Sequence, residues 1–110
     1  MIVEKNVALK ELNTFGIEAK ANELVRVSST AELKAWVETG ASAQKETFVL
    51  GGGSNLVLTG DVAPLVIKME IPGIELVEET AKHFILEVGA GVGWHDLVTW
   101  TIQNNYPGLE

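Results

Sequence analysis

A strand, a capped helix and a second strand follow one another within about thirty residues, and this succession constrains the fold of the 110-residue chain more than any other feature. Residues 23–27 alternate apolar and polar side chains, which predicts a strand. Ser29 and Glu32 have the spacing of a capping box, and the helix that follows is predicted to end at Gly40. Its buried stripe is predicted to consist of Leu33, Trp36 and Val37. Because 47–50 then predicts a short buried strand, the segment has the pattern of a βαβ unit.

The chain beyond this unit is predicted to be richer in strands. Short β-rich runs separated by turn signals occur at 56–58, 65–67, 74–77 and 84–88. The last two runs should form a hairpin, and a second helix should start near Gly93 and end by Asn104. The buried side of that helix is predicted to comprise Trp94, Leu97, Val98, Thr101 and Ile102. The sequence therefore predicts an α+β fold, in which residues 1–70 form a small βαβ subdomain and residues 71–110 begin a second, β-rich subdomain.

The charge balance and the cysteine count exclude several classes of function. Eight basic and 15 acidic side chains give a net charge of −7, whereas a nucleic-acid binder needs cations against phosphates and a peripheral protein of anionic membranes needs a basic face. The absence of cysteine excludes disulfides, thiolate nucleophiles and cysteine-ligated metals. Because no stretch is apolar for long enough to be a signal sequence or a membrane span, we expect a soluble, cytoplasmic protein that binds neither nucleic acid nor membrane.

The segment most informative about function begins at the last residue of the predicted strand 47–50. Its sequence is Leu50-Gly51-Gly52-Gly53-Ser54-Asn55-Leu56. Consecutive glycines let a ligand approach the backbone, and successive N–H groups that turn inward form an anion-binding concavity. The spacing of the glycines fits neither a nucleoside-triphosphate P-loop nor the Rossmann fingerprint. Because no basic residue lies between Lys45 and Lys68, we expect neutral donors to hold any phosphate here, which suits the diphosphate of a buried cofactor. A flexible turn without a ligand is the alternative.

A second glycine-rich segment, 89–94, follows a predicted strand and opens a helix, as a dinucleotide fingerprint does. Trp94, however, stands where that fingerprint has its last glycine, so we interpret the segment as a structural turn packed under Trp94. The next two residues, His95 and Asp96, do not face each other on a helix, and no serine lies nearby. We therefore predict neither a catalytic pair nor a metal site there.

A third segment, 13–17, predicts a turn near the N-terminus. Asn13 or Thr14 should bond to the backbone of this turn, and Phe15 and Ile17 should be buried.

Three segments occur here in the same order as in the UDP-N-acetylenolpyruvoylglucosamine reductase family. They are Asn13-Thr14-Phe15-Gly16-Ile17, residues 50–55 and residues 89–95. The chain resembles that family over nearly its whole length. Its last residues, 106–110, are similar to a family motif beyond which the family's chain continues, so we expect this chain to be an N-terminal portion. The glycine-rich loop is shared with related flavoproteins of the vanillyl-alcohol oxidase type. The Asn-Thr-Phe-Gly segment near the N-terminus favours the reductase family over these relatives.

The resemblance implies two α+β subdomains with FAD between them. It implies that NADPH reduces the flavin, which then reduces UDP-N-acetylglucosamine enolpyruvate to UDP-N-acetylmuramate in peptidoglycan synthesis. The residues that match the family's FAD diphosphate loop are Leu50, Gly51, Gly52, Gly53, Ser54, Asn55 and Leu56. A valine at Gly53 should therefore enter the diphosphate path. The family's catalytic serine, glutamate and arginine belong to a later part of its chain, so we expect no catalytic residue here and no activity from these residues alone.

Two alternatives to this interpretation stay open. The chain could belong to another flavin-dependent oxidase or dehydrogenase of the same fold, or it could be a stand-alone nucleotide-binding module. None of the three interpretations implies an obligate protein partner or a metal ion.

Overall fold

The computed structural model describes residues 2–110 and contains two β-sheets and three α-helices. The strands are β1 (Glu4–Ala8), β2 (Lys20–Val27), β3 (Thr47–Leu50), β4 (Leu65–Met69), β5 (Ile74–Glu79) and β6 (Phe84–Val88). The helices are α1 (Thr30–Glu38), α2 (Ala41–Gln44) and α3 (Trp94–Gln103), and a short 3-10 helix spans Lys10–Leu12. The α+β class predicted from the sequence is confirmed.

The first sheet has the strand order β1-β2-β4-β3. The edge strand β1 is antiparallel to β2, whereas β4 runs parallel to both of its neighbours. Val66 of β4 stands opposite Leu24 on one side and Phe48 on the other. The strands of the predicted βαβ unit, β2 and β3, are therefore not adjacent, because β4 is inserted between them.

The two faces of this sheet carry separate hydrophobic clusters, as expected for strands whose side chains alternate between faces. The first face is covered by the 3-10 helix and by the irregular chain after the glycines; its buried residues are Leu9, Ala21, Leu24, Leu50 and Val66. The second face is covered by α1, through Leu33 and Trp36; its buried residues are Val25, Val27, Leu65 and Ile67. Val37, predicted to share the buried stripe of α1, is exposed.

The predicted capping box of α1 is present, but one of its two hydrogen bonds is shifted by one residue. The amide of Glu32 donates to Ser29 Oγ at 3.1 Å, as expected of an N-cap serine. The Glu32 carboxylate accepts from the amide of Ser28, at 3.4 Å, instead of from the N-cap residue itself. The predicted helix end is confirmed, since Gly40 has a left-handed φ of 79°.

The second sheet is the predicted hairpin, in which β5 and β6 pair antiparallel with an irregularity between Leu76 and Glu78. Helix α3 follows it and begins after Gly93, as predicted. Leu97 and Thr101 are its buried residues, and Tyr106, just beyond the helix, stacks against the ring of Phe84 at a centroid distance of 4.4 Å.

Three predictions about apolar side chains are wrong. Residues 56–58 form no strand; they lie in the irregular covering of the first face, where Val57 is 65% exposed. Trp94 and Ile102, predicted to lie on the buried side of α3, are also exposed. In each case an apolar side chain has the right spacing but no neighbouring element over it within the described residues.

None of the helices in the described part of the chain is both long and apolar enough to cross a bilayer.

Candidate functional site

The glycine loop, residues 51–55, leaves the first sheet at the carboxyl end of β3, where the parallel strands β2 and β4 also end. Ligands of open α/β sheets bind at this edge. The two flanking residues anchor the loop, because Leu50 is buried and Leu56 packs against the same cluster on the first face. The loop therefore has fixed ends at a position suited to a ligand.

The first two glycines of the loop are not required by the fold. A Cβ atom added to Gly51 or Gly52 would meet no atom within 4 Å, and neither residue has a positive φ. The chain itself would thus accept a side chain at both positions. Glycine at these two positions leaves the space beside the backbone open.

The third glycine has a different role. Gly53 has a φ of 70°, and a Cβ atom there would lie 2.1 Å from the Leu12 carbonyl oxygen and 2.9 Å from Asn13 Cα. This corrects the expectation that a side chain at Gly53 would enter the ligand's path, because it would collide first with the chain's own backbone.

A buried asparagine holds the turn against which Gly53 packs. Asn13 is 7% exposed, and its Nδ2 donates to the carbonyls of Leu9 (2.7 Å) and Ile17 (3.1 Å). Its Oδ1 accepts from the amide of Ile17 at 3.0 Å. The prediction that this turn is closed by a side chain is confirmed, whereas Phe15, predicted to be buried, is 62% exposed.

Two carbonyls of the glycine loop accept hydrogen bonds from the protein, whereas four of its amides donate none. The Gly51 carbonyl accepts from Lys68 Nζ at 2.7 Å, and the Gly53 carbonyl accepts from the amide of Thr14 at 3.0 Å. Within residues 2–110, the following amides donate to no protein acceptor: Gly52, Gly53, Ser54 and Asn55. Successive free N–H groups of this kind form an anion-binding concavity.

The geometry of the peptide group fixes where two of these amides point. The described chain has no cis peptide bond, and in a trans peptide the carbonyl and the following N–H point in opposite directions. Because the Gly51 carbonyl faces the Lys68 ammonium group, the Gly52 N–H points away from that group. The Ser54 N–H likewise faces away from Thr14. Neither amide donates to a protein acceptor within residues 2–110, so both hydrogen-bond donors are free.

Lys68 is the residue of this site that the sequence argument missed. No basic residue lies between Lys45 and Lys68, which predicts neutral donors alone, whereas Lys68 Nζ contacts the loop from β4, the next strand of the sheet. The available signal was a single lysine directly after the predicted strand 65–67. The sequence could not reveal its contact, because the contact depends on β4 lying beside β3.

Arg26, which stands beside Lys68 on β2, is already paired with carboxylates. Its guanidinium donates to Glu4 at 2.9 Å and to Glu70 at 3.2 Å. The hydrogen bond to Glu4 raises the pKa of Arg26 further above its ordinary range. The guanidinium therefore joins three strand regions as a permanent cation.

The second glycine-rich turn, 89–94, has no free amides of this kind at its first glycines. Gly89 donates to the Gly73 carbonyl and Gly91 to the Ile71 carbonyl, each at 2.8 Å. A Cβ atom at Gly89 would lie 2.3 Å from the Ile71 oxygen, so the turn packs against the backbone that leads into β5. The structural interpretation is supported, but the turn does not pack under Trp94, which is 65% exposed.

The described residues also form a cleft that lies apart from the glycine loop. This cleft of about 690 Å³ lies beside the start of α1 and the hairpin, and its lining includes Thr30, Ile71 and Gly89 but none of residues 50–56.

No group of three or more His, Cys, Asp or Glu side chains comes together in residues 2–110 as a metal ion would require.

Comparison with known proteins shows which family the chain matches. Residues 21–110 match the family described as "FAD binding domain". Over 110 residues the chain is 46% identical to UDP-N-acetylenolpyruvoylglucosamine reductase of Flavobacterium johnsoniae, covering 100% of this chain and 32% of the relative. It is 43% identical to the reductase of the same name from Dechloromonas aromatica, covering 96% of this chain and 30% of the relative.

A solved structure is similar as well. The crystal structure of UDP-N-acetylenolpyruvylglucosamine reductase from Thermus caldophilus matches with a TM-score of 0.61 and 32% identity, covering 94% of this chain and 34% of that one. The chain thus spans about a third of the length of the relatives it matches.

Proposed function

The chain belongs to the FAD binding domain family, and from this premise we propose that it is the N-terminal, FAD-binding portion of a UDP-N-acetylenolpyruvoylglucosamine reductase. We propose further that residues 50–56 hold the diphosphate of FAD. Residues 1–70, of which Met1 lies outside the described part, would form the first FAD-binding subdomain, and residues 71–110 the beginning of the second.

The observation that carries the proposal is the pairing of open glycines with free amides in one loop. A diphosphate needs several hydrogen-bond donors and a close approach to them. The amides of Gly52 and Ser54 donate to no protein acceptor within residues 2–110, and a Cβ added to Gly51 or Gly52 would meet no atom within 4 Å. These features fit a diphosphate inside a cofactor.

The residues of this chain would bind and orient the cofactor; the chemistry would come from elsewhere. When bound, FAD supplies hydride transfer, with NADPH as donor and UDP-N-acetylglucosamine enolpyruvate as acceptor, in cytoplasmic peptidoglycan synthesis. The glycine loop would fix the diphosphate, and the buried turn around Asn13 would keep the loop in place. None of the residues described here is proposed to transfer a proton to the substrate.

The reaction is tested on the full-length product of the gene that contains this chain. We expect anaerobic NADPH to bleach the flavin absorbance of the purified protein and UDP-N-acetylglucosamine enolpyruvate to restore it, measured by stopped-flow absorbance. Bleaching without restoration by this substrate would contradict the proposed reductase activity and favour another flavin-dependent oxidoreductase. A protein that carries and retains no flavin would contradict the FAD proposal itself.

The loop assignment is tested by Gly51→Val in the same full-length protein. The new side chain enters the space that the fold leaves open, so we expect FAD affinity to fall about tenfold or more, which is about 1.4 kcal/mol. The thermal midpoint of the cofactor-free protein should change little. Isothermal titration with FAD measures the affinity.

The matched control is Gly60→Val, because Gly60 also has no neighbouring atom within 4 Å of an added Cβ and lies outside the loop. This variant should bind FAD as the parent protein does. Equal affinities for the Gly51 and Gly60 variants would contradict the loop assignment.

A further inference from the structure

We propose that Lys68 is the positioning residue of the glycine loop and supplies the positive charge beneath the diphosphate. This inference rests on the proposed function of residues 50–56. In this arrangement the ammonium group holds the Gly51 carbonyl, which turns the Gly52 amide away from the ammonium group, and its charge favours an anion on the loop.

The position of Lys68 follows from the sheet. Its strand, β4, lies between β2 and β3, and Lys68 stands opposite Leu50, the last residue before the glycines. Val66, two residues earlier on the same face, is fully buried in the first cluster. The half-buried lysine stem therefore continues this face, and Nζ reaches the Gly51 carbonyl at 2.7 Å.

The charge of Lys68 is not neutralised by the protein. No carboxylate oxygen of residues 2–110 forms an ion pair with Lys68, whereas the neighbouring Arg26 is paired with Glu4 and Glu70. A half-buried ammonium group whose protein acceptor is a neutral carbonyl has no carboxylate to compete with an anion nearby. In a chain of net charge −7, this offsets the general repulsion that an incoming diphosphate meets.

The alternative is that Lys68 only stabilises the folded chain by covering the end of the sheet. The two roles predict different ligand selectivity. A cation beneath the diphosphate favours FAD but not riboflavin, which has the same ring system and no diphosphate. A lysine that merely stabilises the fold would affect both ligands alike or neither.

The experiment compares Lys68→Met, Lys68→Arg and Lys34→Met in the full-length protein. Lys34→Met is the charge-matched control, since Lys34 is exposed on α1, which covers the opposite face of the sheet. Titration calorimetry of the cofactor-free proteins gives the affinity for FAD and for riboflavin. Thermal unfolding shows whether each variant is folded.

We expect Lys68→Met to weaken FAD binding about tenfold and to change riboflavin binding less than about twofold. Lys68→Arg should restore FAD affinity to within about threefold, because the cation is kept. Lys34→Met should match the parent protein. If Lys68→Met does not fold, Lys68→Gln, which keeps a donor and loses the charge, should show the same selective loss.

Unchanged FAD affinity, or an equal loss for FAD and riboflavin, would overturn the assignment of Lys68 while leaving the FAD proposal intact. Failure of the parent protein to bind FAD would overturn both.

Discussion

Replacing Gly53 by alanine should destabilise the folded protein by about 3–5 kcal/mol, because one added carbon atom meets two separate obstacles. The Cβ would lie 2.1 Å from the Leu12 carbonyl oxygen, and the backbone φ of 70° is unfavourable for any L-residue with a side chain. Urea unfolding of the cofactor-free protein, followed by circular dichroism, measures the change.

The neighbouring glycine provides the control for this prediction. Gly52→Ala adds the same atom one residue earlier, where no atom lies within 4 Å and φ is not positive. We expect its free energy of unfolding to stay within about 0.5 kcal/mol of the parent value. Similar unfolding midpoints for the two variants would show that Gly53 is not packed against the turn as described.

Asn13→Ala should cost about 2–4 kcal/mol, the second largest effect that we expect. The substitution leaves the carbonyls of Leu9 and Ile17 and the amide of Ile17 without the side-chain partner they now have. The Leu9 carbonyl still accepts from the Leu12 amide at 2.9 Å, but the carbonyl and amide of the half-buried Ile17 lose their partner and carry much of their desolvation penalty. Chemical denaturation of the cofactor-free protein measures it.

Thr14→Ala is the matched control, since Thr14 is the next residue of the same turn and is exposed. Its contact with the glycine loop is made by the backbone amide, which the substitution keeps. The variant should unfold within about 0.5 kcal/mol of the parent protein. An Asn13→Ala protein as stable as Thr14→Ala would contradict the role given to the asparagine.

Features encoded over short distances were predictable from the sequence. The serine cap at Ser29 and the left-handed end at Gly40 involve residues within one or two turns of each other, so residue type and spacing suffice. The hairpin of β5 and β6 was predictable for the same reason, because its strands are apolar runs with one short polar bend between them.

The arrangement of strands was not predictable in this way. The insertion of β4 between β2 and β3 depends on contacts between residues far apart in the chain. Strand β1 escaped prediction because its sequence is largely polar and lacks an apolar alternation. Such a pattern suits an edge strand, where one side has no neighbour.

The same limit applies to the candidate site. The assignment of residues 50–56 as an anion-binding loop rests on local chemistry alone and stays a prediction. The supporting contacts come from elsewhere, namely from Lys68 on β4 and from the turn that contains Asn13. No spacing rule relates these residues to the glycines, so only the folded chain brings them together.

The contact between Thr14 and Gly53 also bears on where a boundary can be drawn. The family match starts at residue 21, yet the amide that holds the Gly53 carbonyl and the turn that sets its conformation lie before that point. Strand β1, which covers the outer edge of β2, precedes it as well. A protein engineered to begin at residue 21 would keep every glycine of the loop and lose the contacts that hold those glycines in position. The smallest fragment worth expressing therefore starts before the segment that the family match recognises.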